Sequence, residues 1–202
     1  IPVAELSSVL SRLAPGPLNH VLYGSGGSMA NDTAVRLIHY YFNMLGKPEK
    51  KMLITRTNGY HGSTYMAMSL TGVEYDHIGF DVIGEPLIQR VSGPDLYRRP
   101  EGTTPEEYGA QLVVEFRSKV EGLGPENVAG FFAEPIMGAG GVLMPPPGYL
   151  QGMREACTEY GIEDVVASPV PPNGGSQGTG QDLTTGHVVP VDLRPRAAAR
   201  GT

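Results

Sequence analysis

Cysteine is nearly absent: Cys157 stands alone among 202 residues. One thiol can build neither a disulfide framework nor a cysteine-held metal cluster, and no metal site is expected. The residue falls in "QGMREACTEYGI", an ordinary amphipathic helical pattern, and is not assigned as a nucleophile. Basic blocks are absent too. Lys and Arg number 15 against 21 Asp and Glu, a formal charge of −6, which argues against a nucleic-acid surface built on many phosphate contacts. No apolar run reaches the roughly 18 residues of a membrane span. The first residues also lack the charged and apolar regions of a signal peptide. The chain is therefore expected to be cytoplasmic, with neither nucleic acid nor membrane as a partner.

What is present suffices for one domain with a real core, since 40% of the residues are hydrophobic and 18% charged. "AELSSVLSRLA" places Leu6, Val9, Leu10 and Leu13 at helical spacing before "PGP" stops it. "NHVLYG" reads as a short strand entering a glycine loop. From Asn31 the pattern turns helical, with Val35, Ile38, Phe42 and Leu45 on one stripe and Gly46 and Pro48 ending it. "MLITR" is β-like and is followed by the loop "TNGYHGST" and the apolar stretch "YMAMSLTG". A run rich in Pro, Gly and Tyr then reads as a surface excursion. "TPEEYGAQLVVEFRSKVEGLG" restarts a helix with Thr104 as its N-cap, and "VAGFFAEPIM" follows as a buried strand. Such alternation predicts an α/β layer with a mainly parallel sheet flanked by helices. Residues 163–202 contain no Phe, Tyr, Ile, Met or Lys, so little apolar surface offsets the entropy of ordering, and a disordered tail is expected there.

The stretch "YGSGGSMAND", Tyr23 to Asp32, puts glycines and serines directly ahead of a helix, where free backbone N–H groups and the positive end of the dipole favour an anion. It is not a nucleotide P-loop, because Met29 follows Ser28 and no lysine is near. Nor is it a dinucleotide fingerprint, because the sixth place counted from Gly24 is Met29. Taken alone, the loop is equally well a turn with an N-capping serine that serves only its helix.

Three motifs in order extend the evidence: "SGGSMANDTAVRLIHYYFNMLGKPEKK", "GYHGSTYMAMSLTG" and "FFAEPIMGAGGVLMPPPGYLQGMREACTEYGI". Together they resemble the class III (ω-type) pyridoxal-phosphate aminotransferases, over about Pro17 to Ile162. The resemblance implies a partial fold-type-I large domain at 17–162, preceded by a helical segment at 1–16 and followed by a non-family tail at 163–202. It implies pyridoxal 5'-phosphate as cofactor, an amine and a keto acid such as pyruvate as small-molecule partners, and a homodimer for the full family protein. Gly27 and Ser28 then cradle the cofactor phosphate, Tyr60 covers one face of its ring with His61 beside it, and Glu134 lies near the ring. Each has a plainer alternative: a core tyrosine, a loop histidine bonded to backbone, and a strand-end carboxylate capped by N–H groups. "DLYRRPEGTTPEEYG" resembles the branch with pyruvate-dependent and 4-aminobutyrate transaminases.

The sequence also departs from that pattern. After "EYGI" the family continues through an apolar strand to an aspartate–glutamate pair, whereas here "EDVVASPVPP" follows and that strand is not expected, so Asp164 is given no role. A transaminase holds its cofactor on a Schiff-base lysine. Only Lys47, Lys50, Lys51 and Lys119 occur, none in the family's lysine motif, and no catalytic residue is assigned. Gly26 stands where a serine is usual. The chain therefore reads as the front part of a transaminase large domain with an unrelated end, as from a truncated or frame-altered reading. The alternative is a catalytically inactive fragment or an interaction partner of an intact aminotransferase subunit.

Overall fold

Four short strands, β1 (Met52–Arg56), β2 (Ile88–Val91), β3 (Val128–Ala133) and β4 (Glu163–Val166), form one parallel sheet in the order β2-β1-β3-β4. The computed structural model describes residues 2–14 and 18–166. Helices α1 (Pro2–Leu13), α2 (Gly27–Met44), α3 (Tyr65–Leu70), α4 (Pro105–Leu123) and α5 (Tyr149–Tyr160) alternate with the strands. Parallel neighbours need such crossovers, and these cover both faces of the sheet. Among the described residues no helix is long and apolar enough to cross a membrane.

The two faces have separate cores. Ala34, Val35, Ile38 and Phe42 of α2 and Leu70 of α3 pack on Leu53, Ala129, Phe132 and Val165. Leu112, Phe116 and Val120 of α4, with Met153, Ala156 and Cys157 of α5, pack on Ile54, Phe131 and Ala133. Every residue of β3 is buried, as expected for a strand covered on both sides. Between Met52 and Leu53 the partner in β3 advances from Val128 to Gly130, so β3 carries one extra residue and the alternation resets there. A Cβ at Gly130 would come within 3.1 Å of the Leu53 side chain and 3.3 Å of Ile38, so the small residue lets α2 sit close on the sheet. Fully burying side chains such as Ile38, Leu53 and Phe132 stabilises by roughly 1.5–3 kcal/mol each.

α4 begins as its sequence predicts. Thr104 Oγ1 accepts from the Glu107 amide at 3.2 Å while the Glu107 carboxylate accepts from the Thr104 amide at 2.8 Å, a closed capping box. α1 forms as predicted but buries none of its residues.

Four expectations are corrected. "NHVLYG" is not a strand: residues 18–24 have no ladder and are mostly exposed. α2 starts at Gly27, four residues before Asn31, because the glycine loop winds straight into the helix. The supposed surface excursion contains β2, whose Ile88 and Val91 are buried beside β1. The strand judged missing after "EYGI" exists as β4, which pairs with β3 from Gly130↔Glu163 to Ala133↔Val166. Its polar first residues conceal it, since only pairing with β3 makes them a strand. The tail expected from residue 163 thus begins inside the sheet, and from 167 it lies outside the described residues.

Candidate functional site

The strand order changes direction at the centre of the sheet. From β1 the chain goes outward to β2, then returns past β1 to β3 and onward to β4. The loops leaving β1 and β3 therefore part at their carboxyl ends, the place where open α/β sheets bind ligands. The first loop carries Tyr60 and His61, and the second begins at Glu134.

α2 points its N-terminus at the same place. Gly26 is extended, with φ 174°, no side chain among the described residues caps the helix, and the first helical bond runs from the Ala30 amide to the Gly26 carbonyl at 3.1 Å. The amides of Gly27, Ser28 and Met29 precede that bond and have no carbonyl behind them in the helix. Ser28, Asn31 and Asp32, spaced i, i+3 and i+4 on one face, fasten this end to the loop after β1. Ser28 Oγ accepts from the Ser63 amide at 3.1 Å. Asn31 Nδ2 donates to the His61 carbonyl at 2.6 Å. Asp32 Oδ1 accepts from Thr64 Oγ1 at 2.8 Å and from the Ala67 amide at 3.0 Å, which caps α3. Gly62, with φ +129°, permits this contact, because a Cβ there would stand 2.3 Å from Ser28 Oγ and 2.9 Å from Ser28 Cα.

Tyr60 is 42% exposed, and its amide donates to Glu134 Oε1 at 2.9 Å. Glu134 is buried, and its Oε2 accepts from the Gly138 amide at 2.9 Å. The carboxylate is thus capped by backbone N–H groups, the plainer arrangement that the sequence allowed, and it ties the two loops together. His61 turns inward: its amide donates to Thr71 Oγ1 at 2.9 Å, and its ring packs edge-on against Phe132 at 6.2 Å. Both ring nitrogens lack a hydrogen-bond partner among the described residues. Burial, assisted by the Arg56 charge, pushes its pKa down to about 3, so the ring is neutral at physiological pH. The structure therefore brings Gly27, Ser28, Tyr60 and Glu134 to one end of the sheet, and places the His61 ring in the packing beneath them.

Sequence reasoning missed Asn31, Asp32 and Arg56. The first two carried a signal in the i, i+3, i+4 polar face, hidden once the helix was begun too late. Arg56 ends β1, is fully buried, and its Nη2 donates to the Glu134 carbonyl at 2.5 Å. A charged strand end normally reads as exposed, so no pattern announces it.

The lysines lie elsewhere. Lys50 and Lys51 precede β1, whose five residues separate them from the site by about 16 Å of strand. Lys50 Nζ donates to the Pro125 carbonyl at 2.7 Å and sits 5.1 Å from the Phe42 ring centroid. Burial first, and then Lys47, lower its pKa to about 8. Lys51 Nζ donates to Asn43 Oδ1 at 2.6 Å. Lys119 lines a groove on α4 with Glu115 and Ser118. Asp164 pairs with Arg154 of α5.

Comparison with known proteins closes the identification. The parallel sheet and its helices are those of the large domain of pyridoxal-phosphate transferases. The ω-transaminase of Pseudomonas jessenii, solved in complex with PMP, superposes with a TM-score of 0.79 at 41% identity, covering 82% of this chain and 37% of that one. The profile of the aminotransferase class-III family matches residues 1–166, and the chain belongs to that family. The match takes in α1 and β4. Putrescine–pyruvate aminotransferase of Pseudomonas aeruginosa is 40% identical over 161 residues, 80% of this chain and 35% of its own length. Diaminobutyrate–2-oxoglutarate transaminase of Halomonas elongata is 37% identical over 164 residues, again 80% and 35%. The chain thus spans about a third of the length of these relatives.

Proposed function

We propose that this chain is the phosphate- and ring-holding part of a class III transaminase that moves an amino group from an amine or ω-amino acid to a keto acid such as pyruvate. The observation that carries the reading is the uncapped N-terminus of α2 set beside Ser28 and Tyr60 at the switch point of the sheet. Pyridoxal phosphate fits the groups present in part. Its phosphate matches the amides of Gly27 and Ser28 and the Ser28 hydroxyl, whose proton is free to donate while its oxygen accepts from Ser63. Tyr60 has the exposure to cover a ring, and such a contact contributes about 0.5–1.5 kcal/mol beyond burial. Glu134 fixes the Tyr60 loop, and the neutral His61 packs beneath it. When bound, the cofactor supplies the electron sink for carbon–hydrogen cleavage. The relative acting on putrescine and pyruvate supports pyruvate as acceptor. The whole protein is proposed to work as a homodimer in the cytoplasm.

A second reading is favoured by the lysines, since among the described residues none stands at the cradle. In that reading this chain by itself binds the cofactor reversibly without turnover, as an inactive fragment or as the partner of an intact subunit. Titration of the purified chain with pyridoxal phosphate, followed by borohydride reduction and intact mass measurement, separates the outcomes. Saturable binding with no covalent adduct is expected for this chain. An adduct on a lysine contradicts the second reading, and no saturable binding contradicts both.

A further inference from the structure

We propose that Arg56 is a positioning residue that holds Tyr60 at the mouth of the site, an inference that rests on the cofactor reading above. The two residues belong to a closed circuit of bonds. Arg56 Nη2 donates to the Glu134 carbonyl at 2.5 Å, so the carboxyl ends of β1 and β3 are clamped to each other. The Glu134 side chain then turns back and accepts the Tyr60 amide at 2.9 Å. The chain returns from Tyr60 to Arg56 through a tight turn in which the Gly59 amide donates to the Arg56 carbonyl at 3.1 Å. Gly72 seals that turn from outside, because a Cβ there would stand 2.2 Å from the Arg56 carbonyl oxygen. One residue thus supports Tyr60 from both directions: its carbonyl anchors the turn, and its guanidinium fixes the residue whose carboxylate holds the Tyr60 amide.

The chemistry of Arg56 argues that this contact is its task. The side chain is fully buried; the Tyr149 phenol lies within its influence, but Nε and Nη1 make no bond of good hydrogen-bond geometry among the described residues. No carboxylate among them forms an ion pair with it. A buried cation without a counter-ion is costly, and an apolar side chain of similar volume would fill the space with less penalty. What an apolar side chain cannot do is donate to Glu134. Lysine is a poor substitute, since its shorter side chain and compact, strongly hydrated ammonium do not place a donor where Nη2 meets the Glu134 carbonyl.

The test uses the full chain with Arg56→Met and Arg56→Lys, read first by amide hydrogen exchange without cofactor. In Arg56→Met the Tyr60 amide is expected to exchange about tenfold faster or more, the loss matching a hydrogen bond to a charged group, while the β3 amides keep their protection. Pyridoxal phosphate then binds about tenfold more weakly, and the induced circular dichroism of its band, which reports ring orientation, falls. Arg56→Lys moves both readouts the same way by a smaller factor, and it decides the question alone if Arg56→Met does not fold. Unchanged Tyr60 exchange in a folded variant overturns the proposal, as does wild-type cofactor affinity with wild-type dichroism. If the exchange moves as expected but the unmutated chain binds no pyridoxal phosphate, the cofactor reading fails while the circuit stands.

Discussion

The two ends of the sheet are built on opposite terms. At the amino ends of the strands, Lys50 is buried but has a carbonyl and a ring as partners, and Lys51 is bonded to Asn43. At the carboxyl ends, among the described residues, a helix begins without a side-chain cap, a guanidinium has two nitrogens without a hydrogen-bond partner, a histidine ring has none, and a tyrosine stands half in solvent. Groups of this kind are ordinarily satisfied. The first end is a sealed base, and the second is the end at which the cofactor is proposed to bind.

Substitutions can break this contrast from either side. The largest effect is expected for Gly62→Ala, which places a Cβ 2.3 Å from Ser28 Oγ at a φ of +129°. It should destabilise the chain by about 3 kcal/mol and abolish pyridoxal phosphate binding, as read by thermal unfolding and titration. Next comes Glu134→Gln. The carboxylate accepts two backbone N–H groups and the amide can accept only on one side, so a loss of about 1.5–3 kcal/mol is expected. It should appear chiefly as weaker cofactor binding.

Lys50→Met tests the sealed end. Its pKa of about 8 lies below the ordinary 10.5, so between those values the unfolded chain holds the proton that the folded chain has released. Stability contributed through this group therefore rises with pH from about 8 to 10.5, and the penalty is full below 8. The substitution should flatten that rise in denaturant melts and leave cofactor affinity unchanged. The smallest effect is expected for Gly26→Ser. Among the described residues no atom lies within 4 Å of a Cβ built there, and the backbone is extended, so the hydroxyl enters without strain beside the uncapped amides. A few tenths of a kcal/mol of helix stability and a several-fold gain in cofactor affinity, worth about 1 kcal/mol, should be visible in paired titrations.

Much of the sealed architecture was legible in the sequence because its signals are local. Thr104 and Glu107 form the box that their spacing predicts, "MLITR" is β-like and forms β1, and "VAGFFAEPIM" reads as a buried strand of which the first six residues form β3. β2 and β4 were not legible, because Gln89, Arg90, Glu163 and Asp164 carry no strand pattern and take that form only by pairing with β1 and β3. The late start assigned to α2 has a related cause: Gly27 and Ser28 are poor helix formers, held helical by the bonds that Ser28 and Asn31 make to a loop 30 to 35 residues away. At the candidate site, the assignment of Gly27, Ser28, Tyr60 and Glu134 came from family resemblance, while their geometry came from the fold. The Arg56 circuit spans 78 residues and was invisible until β1 and β3 lay side by side.

The most direct measurement is amide hydrogen exchange of the whole chain with and without pyridoxal phosphate. Added protection confined to residues 24–31 and 57–64, with none at 47–52 or 115–123, is the result the account predicts. Protection around Lys47 to Met52, or along the Lys119 groove, would place the cofactor at the sealed end or outside the sheet and contradict the account.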